Sequence, residues 1–420
     1  MTTGEPAPHV GARPLVAIFL IALGVRLAVV VATGAATARF GDALSYQHTA
    51  RALAETGRYP RRTDAFYTRP PGYSAFLAVV TLGHPERVVL AKVANAALGG
   101  FSAVLLAAIA ARLFRSRLVA IGAGVAAALD PSLVMVSSDV QSEPLFLLLL
   151  LGAGFLLLVA TERPSSGLAL AAGLFTGLAV LTRPSALLVA PLLAAPLADR
   201  RWPRRVRAHL AVAGLCGALV ALAPWTIRNA VVYREFVLVS DVGGFNFYLG
   251  NSDLMLRFYE IRDRQRYNAW SDETDRLLRD RWNELHAAGL TSPGAITRAL
   301  VRQTVGDALA RPAATARLLL HKVWDWLRPY PNPMFWPLPV VLGVGALYSI
   351  LYLCAARGLW IAPRRGASLF AVTFLLASML AHVATFVSWR YRVPYWDPVL
   401  VLYGVFGAGG TLAARWKQRT

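Results

Sequence analysis

The chain has 420 residues, of which 56% are hydrophobic and only 16% are charged, and its mean hydropathy is +0.49. This composition excludes an ordinary soluble globular protein and is typical of an integral membrane protein. The net charge of +20 does not indicate nucleic-acid binding, because the basic residues lie in short connections between apolar runs and form no basic helix with interleaved aromatic residues.

Apolar runs near 20 residues long predict about ten transmembrane helices. They cover residues 14–34, 86–113, 118–136, 143–160, 167–182, 184–198, 208–226, 335–356, 367–388 and 394–414. Arg26 interrupts the first run, which favours an uncleaved anchor over a cleaved signal peptide. Cys216 and Cys354 lie inside predicted spans and far apart in sequence, so the cysteines indicate neither a disulfide framework nor a thiolate metal site.

The basic residues also predict how these helices are oriented. If the N-terminus is cytoplasmic, every strongly basic short connection lies on the cytoplasmic side, at residues 112–117, 163, 200–207, 357–365 and 415–419. Two longer segments, about 35–85 and about 227–334, then lie outside. The predicted organisation is an N-terminal membrane module (1–226) with a catalytic first outer loop, an extracytoplasmic helical segment (227–334), and C-terminal membrane helices (335–420).

The first outer segment begins with a short amphipathic helix. Asp42, Tyr46, Ala50 and Leu53 repeat at helical spacing, and Gly57 is the expected helix end. An extended stretch then leads to RPPGY at 69–73, which is a rigid turn back to the membrane. The acid at the start of the helix is either an N-cap or a reactive group.

Three further helices are predicted in the second outer segment. Ser271 is the expected cap of SDETDRLLRDRWNELHAAG, and Ser292 followed by Pro293 is the expected start of SPGAITRALVRQTVGDALARP. A third helix, in ATARLLLHKVWDWLRPYPNP, leads to the next span. These helices either cover the membrane bundle or help to dock an acceptor.

Six stretches, in this order and on this side of the membrane, resemble the GT-C superfamily of polytopic glycosyltransferases. They are GDALSYQHTARALAETGRYP, RPPGYSAFLA, SSDVQSEPLF, GLAVLTRPSALL, APWTIRNAVVYREFVLVSDVGGFNFYLGNS and RYRVPYWDPVLVLYG. The resemblance is to enzymes that use a polyprenyl-phosphate-linked sugar, grouped with protein O-mannosyltransferases and lipid A aminoarabinose transferases. It implies an α-helical GT-C-like bundle in the cytoplasmic membrane with an extracytoplasmic active site. It also implies inverting transfer to a protein, lipid or cell-wall glycan acceptor.

The resemblance assigns the catalytic acid of the first loop to Asp42. Transfer to a hydroxyl needs a base while the sugar carbon develops positive charge, and a carboxylate can also stabilise that charge. Glu143 is the second acid expected to act, with Asp139 as its alternative, although Glu143 would also suit a helix N-terminus. Many relatives carry adjacent acids in the first loop, whereas Ala43 follows Asp42 here. No metal cofactor is therefore expected, with a divalent metal as the alternative.

Arginines at the outer ends of spans are expected to hold the anionic donor phosphate: Arg69, Arg183, Arg390 and Arg392. The alternative for each is an interfacial position or a carboxylate partner. Residues expected to contact substrate are Tyr46, Tyr73, Asn246, Tyr248 and Asn251. The last three lie in SDVGGFNFYLGNS, which otherwise reads as a turn.

Two other functions are weighed against sugar transfer. A transporter or flippase of lipid-linked sugars predicts paired, interrupted helices in two related halves, but the spans show no such pairing and the acids cluster at the outer edge. A non-catalytic membrane subunit that binds a glycan is the third possibility. Arg26 and Lys92, both inside predicted spans, are explained by none of these functions.

Overall fold

The computed structural model describes residues 10–36, 42–60, 69–188, 190–362 and 365–417. Within these ranges the chain forms α-helices and short 3-10 helices, with no β-strand. The helices of the first half are α1 (Ala12–Thr33), α2 (Asp42–Thr56), α3 (Pro71–Val80), α4 (Val88–Phe114), α5 (Arg117–Leu129), α6 (Pro131–Ser137), α7 (Glu143–Glu162), α8 (Ser166–Thr182) and α9 (Arg204–Tyr233). Those of the second half are α10 (Val242–Gly250), α11 (Asp253–Glu260), α12 (Arg264–Ala287), α13 (Pro293–Ala310), α14 (Pro312–Leu327), α15 (Leu338–Ile361), α16 (Arg365–Ala384), α17 (Trp389–Arg392) and α18 (Trp396–Lys417).

Among the described helices, α1, α4, α7, α9 and α15 are each long and apolar enough to cross a membrane, which gives five spans, or six if the bent pair α5–α6 counts as one. The 54° bend has a local cause. Asp130 caps α6 by accepting a hydrogen bond from the Leu133 N–H at 2.9 Å, and Pro131 occupies the first turn. The predicted α-helical membrane fold is confirmed, while the division into three parts stays a prediction.

The segment 184–198, predicted to be a transmembrane helix, is not α-helical. It forms two stretches of 3-10 helix, Pro184–Leu188 and Ala190–Ala198. Prolines at 184, 191 and 196 remove backbone donors that an α-helix needs, which favours the tighter form.

Glycines let neighbouring membrane helices touch through their backbones. A Cβ atom at Gly173 in α8 would lie 1.8 Å from the carbonyl oxygen of Gly214 in α9, and one at Gly217 would lie 2.1 Å from that of Leu170. Lipid tails are as apolar as side chains, so close packing of this kind is what holds membrane helices together.

The two cations that the sequence left unexplained satisfy backbone carbonyls at helix ends. Arg26 is 1% exposed and donates to the carbonyls of Ala127 and Ala128, each in the last turn of α5. Lys92 of α4 binds the residues just beyond α1, donating to the carbonyls of Gly34 at 3.1 Å and Ala36 at 2.7 Å. Carbonyls in the last turn of a helix have no partner within it and attract positive charge. Both cations therefore hold the bundle together.

The segments predicted to lie outside follow their helix predictions with one correction. α2 ends one residue before Gly57, which has φ +63°, and Ser292 caps α13 by accepting from the Ala295 N–H. The cap predicted at Ser271 is wrong, because α12 begins at Arg264. Asp263 accepts from the Arg266 N–H and starts the helix two turns earlier than the apolar pattern indicated.

Several connections meet at one end of the bundle, called here the site end. They are the start of α2, the turn before α3, the α6–α7 loop, the end of α8 and the chain from α16 to α18. A buried core that includes Phe146, Trp326, Val387 and Tyr395 packs these connections against α14. Functional groups far apart in sequence are thereby brought together.

Candidate active site

Asp42 lies between two arginines at the site end. Its Oδ1 accepts a hydrogen bond from Arg69 Nη2 at 2.9 Å, and its Oδ2 accepts one from Arg390 Nη2. Arg69 is oriented by a second bond, from Nε to Ser45 Oγ at 3.0 Å, one turn along α2. The Asp42 side chain remains 24% exposed, so a ligand can reach it.

Glu143, the first residue of α7, extends this arrangement inward. Its Oε1 lies 2.9 Å from Arg183 Nη1 and 3.1 Å from Arg390 Nε. Arg390 therefore bridges both acids. We call Asp42, Glu143, Arg69, Arg183 and Arg390 the charged cluster. Three guanidiniums face two carboxylates, so its formal charge is +1.

The electrostatics of the cluster keep Asp42 ionised. Burial alone raises the pKa of Asp42, but the guanidiniums of Arg69 and Arg390 outweigh it and hold the pKa well below its ordinary value. A carboxylate with so low a pKa is a weak base. Asp42 becomes a stronger base only when some of these contacts are given to another anion.

A cavity of about 640 Å³ opens beside the cluster. Asp42 and Arg390 form part of its wall, and much of the rest is aromatic: Phe258, Tyr267, Trp270, Phe335, Trp336, Phe386, Trp389 and Tyr391. Its volume lies in the range of small-molecule sites, and flat aromatic faces pack well against ring-shaped ligands.

Comparison with known proteins agrees with the motifs. Residues 68–227 match the family described as dolichyl-phosphate-mannose-protein mannosyltransferase. This match covers less than half of the chain, and the fold is similar to that of an oligosaccharyltransferase of the GT-C superfamily. The resemblance recognised in the sequence is therefore confirmed. No curated protein matches the sequence.

Three solved structures are similar to this chain. The oligosaccharyltransferase of Archaeoglobus fulgidus with a tethered acceptor peptide has 13% identity and a TM-score of 0.57, over 95% of this chain and 49% of that one. AglB of the same organism, in complex with an inhibitory peptide and a dolichol-phosphate, has 14% identity and a TM-score of 0.55, over 96% of this chain and 51% of that one. ArnT from Cupriavidus metallidurans bound to undecaprenyl phosphate has 18% identity and a TM-score of 0.43, over 96% of this chain and 79% of that one. The chain thus spans about half the length of the oligosaccharyltransferase.

Arg392 points away from the charged cluster. Residues two apart in a helix lie about 200° around its axis, so Arg390 and Arg392 of α17 face opposite sides. Arg392 is 0% exposed and donates to the carbonyls of Trp326 at 3.2 Å and Arg328 at 2.8 Å. Its Nε lies 3.3 Å from Asp397. The structure separates this arginine from the other three.

The predicted substrate residues near the first loop lie beneath the cluster. Tyr73 is 0% exposed, and its hydroxyl accepts from Asn95 Nδ2 at 2.8 Å. Tyr46 packs edge-on against Tyr73 and donates to Ser142 Oγ at 3.2 Å. These tyrosines join α2 and α3 to the α6–α7 loop.

The predicted residues of α10 lie elsewhere. Asn246 is exposed, and Tyr248 packs against the core that includes Leu278 and Leu300 of α12 and α13. Tyr248 and Asn251 line a second cavity of about 330 Å³. The structure does not bring this set to the charged cluster.

Several supporting residues were missed in the sequence. Gln141 Oε1 accepts from Arg390 Nη1 at 2.7 Å, and Ser142 Oγ accepts from Arg183 Nη1 at 3.0 Å. Asn95 donates to the carbonyl of Gln141 and so fixes the α6–α7 loop from α4. Its position within the apolar run AKVANAALGG was the available signal, because a polar residue inside a span usually has a specific partner.

Asp139, the alternative second acid, caps its own loop instead of joining the cluster. Its Oδ1 accepts from the Val140 N–H at 2.7 Å. In the part of the chain that the structure describes, no group of three or more His, Cys, Asp or Glu side chains is arranged to hold a metal ion.

Proposed function

We propose that the protein transfers a sugar from a polyprenyl-phosphate-linked donor to an acceptor hydroxyl, with inversion, on the extracytoplasmic side of the cytoplasmic membrane. The observation that carries the proposal is Asp42 held between Arg69 and Arg390 at the wall of an aromatic cavity. A dolichol-phosphate accompanies the A. fulgidus AglB of similar fold, which supports a lipid phosphate as the leaving group.

The charge of the cluster suits such a donor. A phosphate that joins a sugar to a lipid is a diester with one negative charge, which matches the formal +1 of the cluster. Of the cluster arginines, Arg390 lines the cavity, Arg69 binds Asp42 in the cavity wall, and Arg183 adds positive charge beside Glu143. Their forked N–H groups bind phosphate oxygens in pairs.

Donor binding prepares Asp42 for its task. Phosphate oxygens compete with the Asp42 carboxylate for the N–H groups of Arg69 and Arg390, so its pKa rises toward the ordinary value. Asp42 then accepts the proton of the acceptor hydroxyl. The freed oxygen forms the new bond to the anomeric carbon, and the bond from that carbon to the phosphate oxygen breaks.

The charges balance across this step. Asp42 becomes neutral as it takes the proton, which raises the formal charge of the cluster to +2. The departing phosphate becomes a monoester and gains one negative charge, so attraction between cluster and product is strongest after transfer. No acid is needed to protonate the leaving group, and Glu143 serves to orient Arg183 and Arg390.

The side of the membrane is testable by cysteine labelling. Ala288→Cys, just beyond α12, and Arg163→Cys, just beyond α7, are exposed and lie at opposite ends of the bundle. With Cys216 and Cys354 replaced by alanine, an impermeant reagent added to intact cells should label the first site and reach the second only after lysis. The reverse pattern would place the site in the cytoplasm and overturn the proposal.

Transfer itself is tested with Asp42→Asn, which keeps size and helix-capping ability but removes the base. Sugar transfer in membranes should fall on the order of 10² to 10⁴ fold at matched protein abundance. Asp139→Asn is the matched control, since its side-chain oxygen can still accept from the Val140 N–H. Mass spectrometry of co-purified lipid identifies the donor. Near-normal transfer by Asp42→Asn would contradict the assigned base.

A further inference from the structure

The chain between α16 and α17 carries Arg390 into the charged cluster, so whatever fixes the end of α16 also fixes that arginine. α16 ends at Ala384, and Arg390 follows six positions later. The segment between them, including Phe386 and Ser388, lines the large cavity. The last carbonyls of a helix need partners from outside it. For α16 those partners come from α14 and from the end of α10.

Lys322 of α14 supplies the first partner. It is 0% exposed, and its Nζ donates to the carbonyls of Val383 at 3.0 Å and Thr385 at 2.9 Å. A third bond goes to Asn251 Oδ1 at 2.8 Å. An ammonium group has three N–H donors, so these contacts use all of them. Its positive charge at a helix C-terminus is also favourable.

Asn251, just after α10, supplies the second partner. Its Nδ2 donates to the Ala384 carbonyl at 2.9 Å, between the two carbonyls that Lys322 binds. The preceding Gly250 lies directly against the same turn, since a Cβ atom there would be 1.9 Å from the Thr385 carbonyl oxygen. Three successive carbonyls at the end of α16 are therefore satisfied by this pair of side chains.

We infer that Lys322 and Asn251 are positioning residues for sugar transfer, which fasten the end of α16 to α14 and α10 and thereby set Arg390 in the charged cluster. The inference rests on the proposed function, because it acts on the donor phosphate through Arg390. Asn251 then holds the protein's own backbone, whereas its motif predicted a contact with substrate. The inference also makes the α10–α14 segment part of the machinery that shapes the site.

Two variants disturb this fastening in different ways. Lys322→Met removes all three donated bonds but keeps a long unbranched side chain, and Gly250→Ala pushes on the Thr385 carbonyl without changing any charge. Gly243→Ala is the control, since it lies in the same helix with open space around the added methyl. Misplacement by about 1 Å can cost up to about 10²-fold in rate. We expect transfer to fall about 10- to 100-fold in the first two variants and to stay normal in the control.

A double-mutant cycle separates positioning from general weakening of the fold. If Lys322 acts through Arg390, then Lys322→Met should cost much less in an Arg390→Lys background than in the wild type. Protein abundance is matched throughout, and Gly250→Ala serves as the second variant if Lys322→Met reaches the membrane poorly. An equal fold-loss in both backgrounds would overturn the inference.

A readout independent of activity completes the test. Ser388→Cys, in a chain with Cys216 and Cys354 replaced by alanine, reports on the segment that carries Arg390. Its alkylation rate should change several-fold with Lys322→Met and not with Gly243→Ala. An unchanged rate would refute the positioning role. A changed rate together with normal transfer by Arg390→Lys would keep that role and instead overturn the proposed task of Arg390.

Discussion

Arg390 and Arg392 stand two positions apart in one short helix, yet their partners differ in kind. Arg390 is held mainly by the carboxylates of Asp42 and Glu143, at the wall of an open cavity. Arg392 is held by two backbone carbonyls and by Asp397, and both side chains of that pair are 0% exposed. Under the proposed function, a phosphate takes the place of the first set of partners, whereas the second set is closed to solvent.

This difference separates two kinds of buried cation in this molecule. Arg26, Lys92 and Lys322 resemble Arg392, because each satisfies carbonyls at the end of a helix. Such contacts stabilise the bundle and remain in place throughout any reaction. The arginines of the charged cluster are instead paired with carboxylate side chains, which the donor phosphate partly replaces under the proposed function.

The largest expected effect concerns Arg392, whose partners give it a structural role. Arg392→Met leaves Asp397 buried without its cation, and removal of one partner from a buried pair costs about 3 to 5 kcal/mol. We expect low abundance and a lower Tm, with transfer per folded molecule within a few-fold of wild type. Adding Asp397→Asn should restore part of the stability. A stable Arg392→Met protein without transfer would place Arg392 in the site.

The next effect, on the catalytic side, is that of Arg390→Lys. Lysine keeps the charge but cannot bond Asp42, Glu143 and Gln141 from one fork. Transfer should fall on the order of 10²-fold, and polyprenyl phosphate should bind more weakly, while abundance stays normal. Binding of the lipid phosphate to purified protein measures this directly. Unchanged affinity would remove Arg390 from the donor site.

A smaller effect concerns acid stability. The folded-state pKa of Asp42 lies below its unfolded value, so its ion pairs stabilise the fold above about pH 4 and lose that contribution as pH falls further. Between about pH 4 and pH 2, the Tm of the donor-free wild type should therefore fall more steeply than that of Asp42→Asn. Parallel curves for the two proteins would show that Asp42 is not held by its arginines.

The smallest expected effect concerns Tyr46, which lies beneath the charged cluster. Tyr46→Phe removes the hydrogen bond to Ser142 and keeps the ring packing against Tyr73. The expected loss of stability is about 1 kcal/mol, with transfer reduced by less than about tenfold. A loss of transfer as complete as that of Asp42→Asn would instead give Tyr46 the substrate contact expected from the sequence.

Much of the fold followed from the sequence, because apolar length, basic connections and helix caps are local signals. The same signals placed Asp42 and Arg69 in the first outer segment and Glu143 at the start of a span. The direction of Arg392 could not be predicted, because the orientation of a four-residue helix is set by its tertiary partners. The task of Asn251 was hidden for a related reason, since the carbonyl that it holds lies 133 residues away.

The charged cluster also has a consequence for biosynthesis. Asp42 leaves the ribosome 348 residues ahead of Arg390, so the nascent membrane module holds both acids of the site but only two of its three arginines. The segment that matches the mannosyltransferase family, residues 68–227, contains neither Asp42 nor Arg390. Under the proposed function, a product truncated before Arg390 lacks one arginine of the donor site, so sugar transfer requires insertion of the last helices.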